Sequence, residues 1–321
     1  PAASAASAAF AASAAAYMIP AIFLASTVTA LAPRLVVISG CGARGVGLGI
    51  AQNVLSLDDT CEVVVMARSF GRASSVADEL GSRAHAVECD VTSEESCQSA
   101  AATIRDMGGS DLFTLVNNAG FAADLPWFPT PWKAEAASQT LAVNLFGARR
   151  LTQALMPQLL ASADGRVTFI SSGGGRLNMK RMSEERRQPL LDVDELSWDA
   201  IEEMARVFTS EYELGADEQS VETDTCLGTV RLLPYTSDSG FWLQSYGFSK
   251  ACLGAYCQVL ARQQPSLSCT TCSPGWVQTE MSSTYTGDAE MRTVEEGGEV
   301  PAWLACGDRG SITSTGFYMP D

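Results

Sequence analysis

The sequence predicts an α/β protein in which helices cover both faces of a doubly wound parallel sheet. Seven short runs rich in β-branched residues alternate with longer segments whose apolar residues recur at helical spacing. Strands that alternate with helices in this way pair in parallel, because each connection crosses over the sheet. The chain has 321 residues, of which 46% are hydrophobic and 18% charged, so it can bury the core of one large domain.

The predicted strands follow one another from residue 34 to the end of the chain. In chain order they are RLVVIS, CEVVVMA, HAVECDV, LFTLVNN, RVTFISS, SLSCTTCSP and STGFYMP. Between the first five strands, helices are predicted for AQNVLSL, ASSVADELG, SEESCQSAAATIRDMG and AASQTLAVNLFGARRLTQALMPQLLA. We therefore expect a single domain over residues 34–321.

Residues 173–245 interrupt the alternation of strands and helices with an acidic stretch. They hold 15 acidic and 7 basic residues, a net charge of −8 that is half of the −16 of the whole chain. Within them, LDVDELSWDAIEEMARVFTSEYELG is predicted to be helical, since its opening acids suit a helix N-terminus. We predict a helical insertion that ends where the domain resumes at Tyr246.

Residues 1–33 carry no charged side chain and begin with an alanine- and serine-rich stretch. Residues 11–32 are long enough to cross a bilayer as a helix, although Pro20 would kink it. We expect an apolar arm that anchors the chain in a membrane or a larger membrane protein complex; packing on its own domain is the alternative. Alanine and serine without acids favour a plastid-targeting remnant, with a cytoplasmic or mitochondrial location as the alternatives.

Charge, histidine and cysteine usage argue against several classes of site. A net charge of −16 repels phosphate backbones, so we expect no nucleic-acid partner. His85 is the one histidine of the chain and is expected to be structural. Cys269 and Cys272 form the one CxxC motif among ten cysteines, inside an apolar strand pattern with no second ligand pair. Buried free thiols in a reducing compartment are favoured, and no metal site is predicted.

Glycines crowd the turn after the first strand, in SGCGARGVGLGIA at residues 39–51. They let the backbone approach a pyrophosphate, and the helix that follows offers free N–H groups to it. A nucleotide site is therefore favoured over a simple tight turn.

Arg68 follows the second strand, where sites for NAD usually carry an acid. An arginine there can pair with a 2′-phosphate through two parallel hydrogen bonds, and Arg44 in the glycine loop is a second candidate. We therefore favour NADP over NAD; a solvated arginine at a strand end is the alternative.

Tyr246 and Lys250 form a YxxxK motif and share one face of a predicted helix. A free tyrosine has a pKa of about 10; a nearby ammonium, together with the positive nicotinamide ring, would lower that pKa. The same chain also carries Ser171 and Ser172 at the end of one predicted strand, NNAG at the end of another, and Asn144 in a long predicted helix.

Together these motifs resemble the short-chain dehydrogenase/reductase family, and within it the monomeric carbonyl-reductase branch. The resemblance runs from Leu35 to Tyr318 and rests on GVG in the glycine loop, CDV, NNAG, VNLFG, FISS, YGFSK and CSPGWVQTEM. It implies a Rossmann-type fold and NADPH-dependent reduction of a small-molecule ketone, aldehyde or quinone. The acidic insertion lies where that branch carries an extra helical segment.

The resemblance also implies roles for individual residues. Tyr246 would be the acid–base, Ser172 would orient and polarise the carbonyl, and Lys250 would bind the nicotinamide ribose and lower the tyrosine pKa. Asn144 would hold the proton-relay water. The candidate cofactor contacts, besides Tyr246 and Lys250, are Gly40, Gly45, Val46 and Gly47 at the pyrophosphate, Arg44 and Arg68 at the 2′-phosphate, Asp90 and Val91 at adenine, Asn118, Ala119 and Gly120 bracing the cofactor, and Pro274, Gly275, Val277 and Thr279 beside the nicotinamide.

The sequence leaves two alternatives open, one at the glycine loop and one for the whole chain. Four residues separate Gly40 from Gly45 where the family has three, so either the turn bulges by one residue or Cys41 replaces the first glycine in register. The apolar arm and the long insertion would also suit an accessory structural subunit of a membrane protein complex that retains the fold and bound NADP. The intact set of catalytic candidates favours the enzyme.

Overall fold

The computed structural model describes residues 34–107, 112–125, 127, 133–215, 221–225, 228–232, 237–238 and 240–320. Its strands are β1 (Arg34–Ile38), β2 (Cys61–Ala67), β3 (Ala84–Glu88), β4 (Leu112–Asn117), β5 (Arg166–Ile170), β6 (Val221–Thr225), β7 (Gly228–Leu232), β8 (Ser268–Cys272) and β9 (Phe317–Tyr318). Its helices are α1 (Val46–Leu57), α2 (Phe70–Leu80), α3 (Glu94–Asp106), α4 (Ala136–Leu141), α5 (Ala148–Ala161), α6 (Gly173–Arg181), α7 (Glu184–Leu191), α8 (Trp198–Gly215), α9 (Ser245–Gln263) and α10 (Val294–Cys306). A π-helical segment, Ala142–Gly147, joins α4 to α5, and short 3₁₀ turns span Glu280–Ser282 and Arg309–Ser311.

Seven of the described strands form one parallel sheet in the order β3–β2–β1–β4–β5–β8–β9. Strand β1 pairs with β2 on one side and with β4 on the other, so the strand order reverses between β1 and β4. These are the seven strands that the β-branched runs predict, and the doubly wound α/β fold is confirmed. Because all seven run in the same direction, their carboxyl ends lie along one edge of the sheet.

Helices cover both faces of this sheet. In β1, Leu35 and Val37 belong to one buried cluster, whereas Val36 and Ile38 belong to another. Residues of α3, α5, α8 and α9 complete the first cluster, and residues of α1, α2 and α10 complete the second. This burial on both sides explains why the central strands β1 and β2 are largely apolar instead of alternating with polar residues.

The acidic insertion packs its apolar side on the rest of the domain. It contains α6, α7 and α8 and also an antiparallel hairpin of β6 and β7, which the helical prediction for the insertion did not include. Phe208 of α8 stacks on Phe248 of α9, with ring centres 3.8 Å apart. At the start of α8, Trp198 lies under the guanidinium of Arg149, 4.2 Å from the ring centre. Aromatic contacts therefore fix α8 to α9 and α5.

The helix predicted from residue 191 begins later than expected, at Trp198. The Ser197 hydroxyl accepts the Ala200 N–H at 3.2 Å, so Ser197 caps this helix in place of the acids that precede it. Residues 193–196 instead form a turn whose carbonyls accept hydrogen bonds from the side chain of Arg262.

The described cysteines are all buried, as expected of packed free thiols. Cys269 and Cys272 belong to opposite core clusters on the two faces of β8, so they cannot share a metal ion. His85 pairs with Glu62 on the neighbouring strand at 2.6 Å. Within the described ranges, no group of His, Cys, Asp and Glu residues could hold a metal ion.

The predicted apolar arm, residues 1–33, lies outside the described residues. Among the residues that the structure does describe, no helix is both long and apolar enough to cross a bilayer. The membrane anchor inferred for residues 11–32 therefore stays a prediction.

Candidate active site

A cleft of about 1820 Å³ runs along the carboxyl edge of the sheet. At the reversal of strand order, the loops after β1 and β4 are joined, because the Ser39 hydroxyl accepts the N–H groups of Asn118 and Ala119 at 3.1 and 3.0 Å. Ligands of doubly wound sheets bind at this reversal. The cleft exceeds the roughly 300–1,000 Å³ of an ordinary small-molecule pocket, so it has room for a dinucleotide and a substrate together.

The glycine loop between β1 and α1 takes up its additional residue in a turn. Gly40 has a φ of +69°, and a Cβ on it would lie 2.5 Å from the Ala119 Cα, so only glycine fits there. Cys41 is buried, and its thiol donates to a carbonyl of β1 at 3.3 Å. Gly40 therefore keeps the place of the first glycine, and a turn closed by the Gly45 N–H and the Gly42 carbonyl at 3.1 Å holds the extra residue. Of the two alternatives, the structure contains the bulged turn.

Helix α1 begins directly after this loop, at Val46. No side chain caps it, so its first N–H groups are left to bind a phosphate. Gly47 lies behind the loop and does not line the cleft; a Cβ on it would come within 2.8 Å of the Asn118 side-chain nitrogen. Gly47 thus lets α1 pack against the loop after β4.

Arg44, Arg68 and Arg72 are exposed side chains that line the same cleft. None of the three has a hydrogen bond or ion pair to another described residue. Hydrogen bonds from Thr92 lower the pKa of the Asp90 carboxyl, and the charge of Arg68 adds to this lowering. Three guanidinium groups suit a phosphate, which accepts several charge-assisted hydrogen bonds at once.

Close packing of α6 on α9 brings Ser172 and Tyr246 together. Ser172 caps α6 by accepting the Gly174 N–H at 3.1 Å, and Tyr246 lies in the first turn of α9. A Cβ on Gly175 would lie 3.0 Å from the Ala251 nitrogen, so a side chain there would push the two helices apart. The glycines after the FISS motif therefore let the hydroxyls of Ser172 and Tyr246 approach each other, and Ser172 acts on the pKa of Tyr246.

Burial shifts the pKa values of both titratable groups of the YxxxK motif. It raises the pKa of Tyr246, and the hydrogen bond with Ser172 counteracts only part of that shift. Burial also lowers the pKa of Lys250 to about 8. The Lys250 Nζ donates to the Ile170 carbonyl at 2.7 Å and lies 5.6 Å from the centre of the Tyr246 ring. Among the protein's own groups, burial raises the Tyr246 pKa and the opposing effect comes from Ser172, not from Lys250 as the YxxxK motif predicts.

Asn144 lies in the π-helical segment and is buried behind the cleft rather than lining it. Its amide nitrogen donates to the Phe121 carbonyl at 2.8 Å and to the Ser249 hydroxyl at 2.9 Å, and its oxygen accepts the Phe121 N–H at 2.7 Å. Both amide hydrogens are used in this way. The side chain of Asn144 therefore ties the loop after β4 to α9, and π-helical turns of this kind are frequent at functional sites.

The segment after β8 forms another side of the cleft. Trp276 meets Trp127 edge to face with ring centres 4.8 Å apart, and Tyr285 packs on both rings at 5.0 and 5.7 Å. The Trp127 indole donates to the Met281 carbonyl at 3.2 Å, which ties the loop after β4 to this segment. Aliphatic and aromatic side chains from other elements also line the cleft: Leu125, Leu177, Trp242 and Met319.

All but two of the predicted site residues line this one cleft, the exceptions being Gly47 and Asn144. Three further residues line the cleft but were not predicted as site residues. Arg72 lies in the first turn of α2, four residues after Arg68, and Trp276 lies inside the CSPGWVQTEM motif. Trp127 has no local signal in the sequence. The predicted residues that line the cleft are Gly40, Arg44, Gly45, Val46, Arg68, Asp90, Val91, Asn118, Ala119, Gly120, Ser172, Tyr246, Lys250, Pro274, Gly275, Val277 and Thr279.

Comparisons with known proteins agree with this arrangement. The family model described as short chain dehydrogenase matches residues 34–184. Carbonyl reductase [NADPH] 3 of Rattus norvegicus is 28% identical over 283 residues, covering 85% of this chain and 90% of the relative. Short-chain dehydrogenase/reductase 1 of Saponaria officinalis is 28% identical over 312 residues, covering 89% of this chain and 93% of the relative.

Similarity extends to solved structures. That of salutaridine reductase from Papaver somniferum has a TM-score of 0.73 and 25% identity, covering 89% of this chain and 99% of that one. Menthone neomenthol reductase from Mentha piperita has the same fold, with a TM-score of 0.68 at 20% identity over 89% of this chain and 98% of that one. Strand order, motif positions and relatives all lead to one conclusion: over most of its length the chain is similar to short-chain dehydrogenases/reductases, the family whose model matches residues 34–184.

Proposed function

We propose that this protein uses NADPH to reduce the carbonyl of a ketone, aldehyde or quinone. One observation carries the proposal: a single cleft is lined by the glycine loop and three arginines as well as by Ser172, Tyr246 and Lys250. A dinucleotide with an extra phosphate and a reactive ring needs both sets of groups. The rat relative supports the proposal, since its name describes an NADPH-dependent carbonyl reductase.

The chain's residues fit the proposed cofactor. Gly40 leaves room for a close approach to the backbone, and the uncapped start of α1 suits a pyrophosphate. The side chains of Arg44, Arg68 and Arg72 would hold the 2′-phosphate, and the Lys250 ammonium would bind the ribose hydroxyls. When bound, NADPH supplies the hydride that adds to the carbonyl carbon.

Tyr246 is the proposed source of the proton that the carbonyl oxygen takes up. Its raised pKa keeps the phenol protonated at neutral pH, which suits a general acid working in the direction of reduction. Ser172 would turn its single hydroxyl hydrogen from Tyr246 to the same oxygen when the substrate binds, while one of its lone pairs goes on accepting the Gly174 N–H. Asn144 would act through the backbone of the loop that it holds, because both hydrogens of its amide are occupied.

The substrate that fits the cleft best is a neutral carbonyl compound with an apolar ring. Trp127 and Trp276 offer faces and edges for stacking, and Leu177 and Trp242 of the insertion add apolar surface. A panel that pairs ring ketones with carboxylated analogues of the same size tests this substrate class. We expect the neutral member of each pair to have the higher kcat/KM; a preference for the carboxylated members would contradict the assignment.

Replacing Tyr246 with phenylalanine tests the catalytic proposal. The variant keeps the ring but removes the proton donor, so carbonyl reduction should fall by about 10² or more, the scale of general-acid catalysis, while NADPH affinity changes little. Tyr256→Phe is the matched control, because Tyr256 is buried on the same helix and does not line the cleft. Both variants are assayed by NADPH oxidation; equal activities would overturn the role of Tyr246.

Membrane association through residues 1–33 and a plastid location remain predictions that the described residues do not test. The same holds for the alternative of an accessory structural subunit in a membrane protein complex. A fluorescent fusion of the full-length precursor distinguishes these possibilities. Plastid membrane fluorescence is the expected result, and a signal confined to the cytosol or to mitochondria would contradict it.

A further inference from the structure

Asp124 places a fully buried carboxylate at the start of α9. It lies in the loop that follows β4 and the NNAG motif. One carboxylate oxygen accepts the Ser245 N–H at 2.6 Å, and the other accepts the Tyr246 N–H at 3.3 Å. The second oxygen also accepts the side-chain amide of Gln244 at 3.3 Å. The backbone of the proposed proton donor is thus bound directly by this carboxylate.

These contacts satisfy the whole first turn of α9. A helix leaves its first N–H groups without intrahelical partners. Here Asp124 binds the N–H groups of Ser245 and Tyr246, while the Gln244 side chain accepts the Gly247 N–H at 2.5 Å. The intrahelical ladder then begins with the bond from Phe248 to the Gln244 carbonyl at 3.0 Å. The position of this turn is therefore set from outside the helix by Asp124.

The surroundings of Asp124 exclude water and come from the insertion as well as the core. Tyr212 of α8 is fully buried, and burial together with the Asp124 carboxylate raises the pKa of its hydroxyl, so it stays protonated beside that carboxylate. The Ser245 hydroxyl donates to that of Thr140 in α4 at 3.2 Å. A buried carboxylate is costly unless several donors satisfy it. Here the donors are the backbone of α9 itself.

We propose that Asp124 is a positioning residue for the reaction: it holds the first turn of α9 so that the Tyr246 hydroxyl stays in register with Ser172. This inference rests on the proposed function, because it concerns the geometry of proton transfer to a carbonyl. Tyr246 and Lys250 both lie on α9, and the bond from Asp124 reaches the backbone of Tyr246 itself. A shift of this turn would move the hydroxyl while leaving the glycine loop and the arginines in place.

Asp124→Asn tests the proposal, with Asp164→Asn as a matched control. An amide has one accepting oxygen in place of two, so one of the two bonds to the first turn of α9 is lost. Asp164 supports Arg166 at the amino end of β5 and does not line the cleft. Both proteins are assayed for kcat, KM and NADPH affinity at a temperature where they are folded.

For Asp124→Asn we expect kcat to fall on the order of 10- to 100-fold, the scale of a small misplacement of a reacting group, with NADPH affinity within threefold of wild type. Asp164→Asn should keep kcat within twofold. Equal losses of kcat in the two variants, or an unchanged kcat in Asp124→Asn, would overturn the proposal. If Asp124→Asn does not fold, Asp124→Ser replaces it, since it retains one accepting oxygen.

Hydrogen exchange separates a failure of this inference from a failure of the proposed function. If the wild-type protein reduces no carbonyl, the proposed function fails, whereas the exchange rates of the Ser245 and Tyr246 amides still report on Asp124. We expect these amides to exchange slowly in the wild type and in Asp164→Asn, and at least tenfold faster in Asp124→Asn. Equal protection in all three proteins would refute the positioning role whatever the activity.

Discussion

Replacing Arg68 with aspartate should reverse the preference for NADPH over NADH. Arg68 lines the cleft together with Arg44 and Arg72. A hydrogen bond to a charged group contributes roughly 1.5–3 kcal/mol, and about 1.4 kcal/mol corresponds to a tenfold change in affinity. Losing this contact should therefore weaken NADPH binding roughly 10- to 100-fold. The new carboxylate would also repel the 2′-phosphate, whereas it can accept the 2′-hydroxyl of NADH.

Fluorescence titration with NADPH and NADH measures this change in the wild type, Arg68→Asp and Arg206→Asp. Arg206 is exposed on α8, where it pairs with Glu203, and it does not line the cleft, so the third protein controls for the altered net charge. Only Arg68→Asp should bind NADPH more weakly without losing affinity for NADH. Equal affinities for both nucleotides in the wild type, or an equal loss of both in Arg68→Asp, would refute the assignment of Arg68 to the 2′-phosphate.

Three further predictions concern packing and stability. Phe208→Ala removes a buried ring stacked on Phe248 and should lower the free energy of unfolding by roughly 3–5 kcal/mol, measured in urea; a change below 1 kcal/mol would contradict the role of this contact. Gly175→Ala places a Cβ 3.0 Å from the backbone of α9, so kcat should fall while NADPH affinity is retained, and an unchanged kcat would argue against the proposed helix packing. Burial raises the pKa of Asp164, but bonds to Arg166 lower it further, so the folded pKa lies below the usual value. The ionised Asp164 therefore stabilises the fold above the unfolded pKa of about 3.9. This stabilisation is lost as the pH falls through the lower folded pKa. Urea unfolding curves of the wild type and Asp164→Asn should therefore converge at strongly acid pH, and a constant difference would disprove this.

Patterns confined to single segments explain why so much of the fold could be predicted. Parallel strands buried on both faces are rich in apolar residues, and β1 and β2 carry that pattern within their own few residues. The spacing of Tyr246 and Lys250 on one helix face is equally local. The insertion was harder to predict, because the start of α8 depends on the Ser197 cap and on contacts with Arg262.

Contacts between distant segments explain what could not be predicted. Asp124 reaches the start of α9 across 121 positions of the chain, and Trp127 reaches Met281 across 154. Such pairs leave no periodic signal, since neither residue differs locally from an ordinary loop residue. The same holds for the extra residue of the glycine loop, whose place became clear only from the close approach of Gly40 to Ala119.

By itself, the sequence determined the doubly wound sheet and most of the residues that line the cleft and are proposed to carry the chemistry, because residue type and local spacing are enough to recognise both. The tertiary structure alone decided how the first turn of α9 is held, how the aromatic side of the cleft is assembled, and whether burial or Lys250 controls the pKa of Tyr246. The physical reason is the same in each case. A buried hydrogen bond, a ring contact or a desolvated hydroxyl depends on which distant side chains the fold packs around it, and no single segment of the chain contains that information.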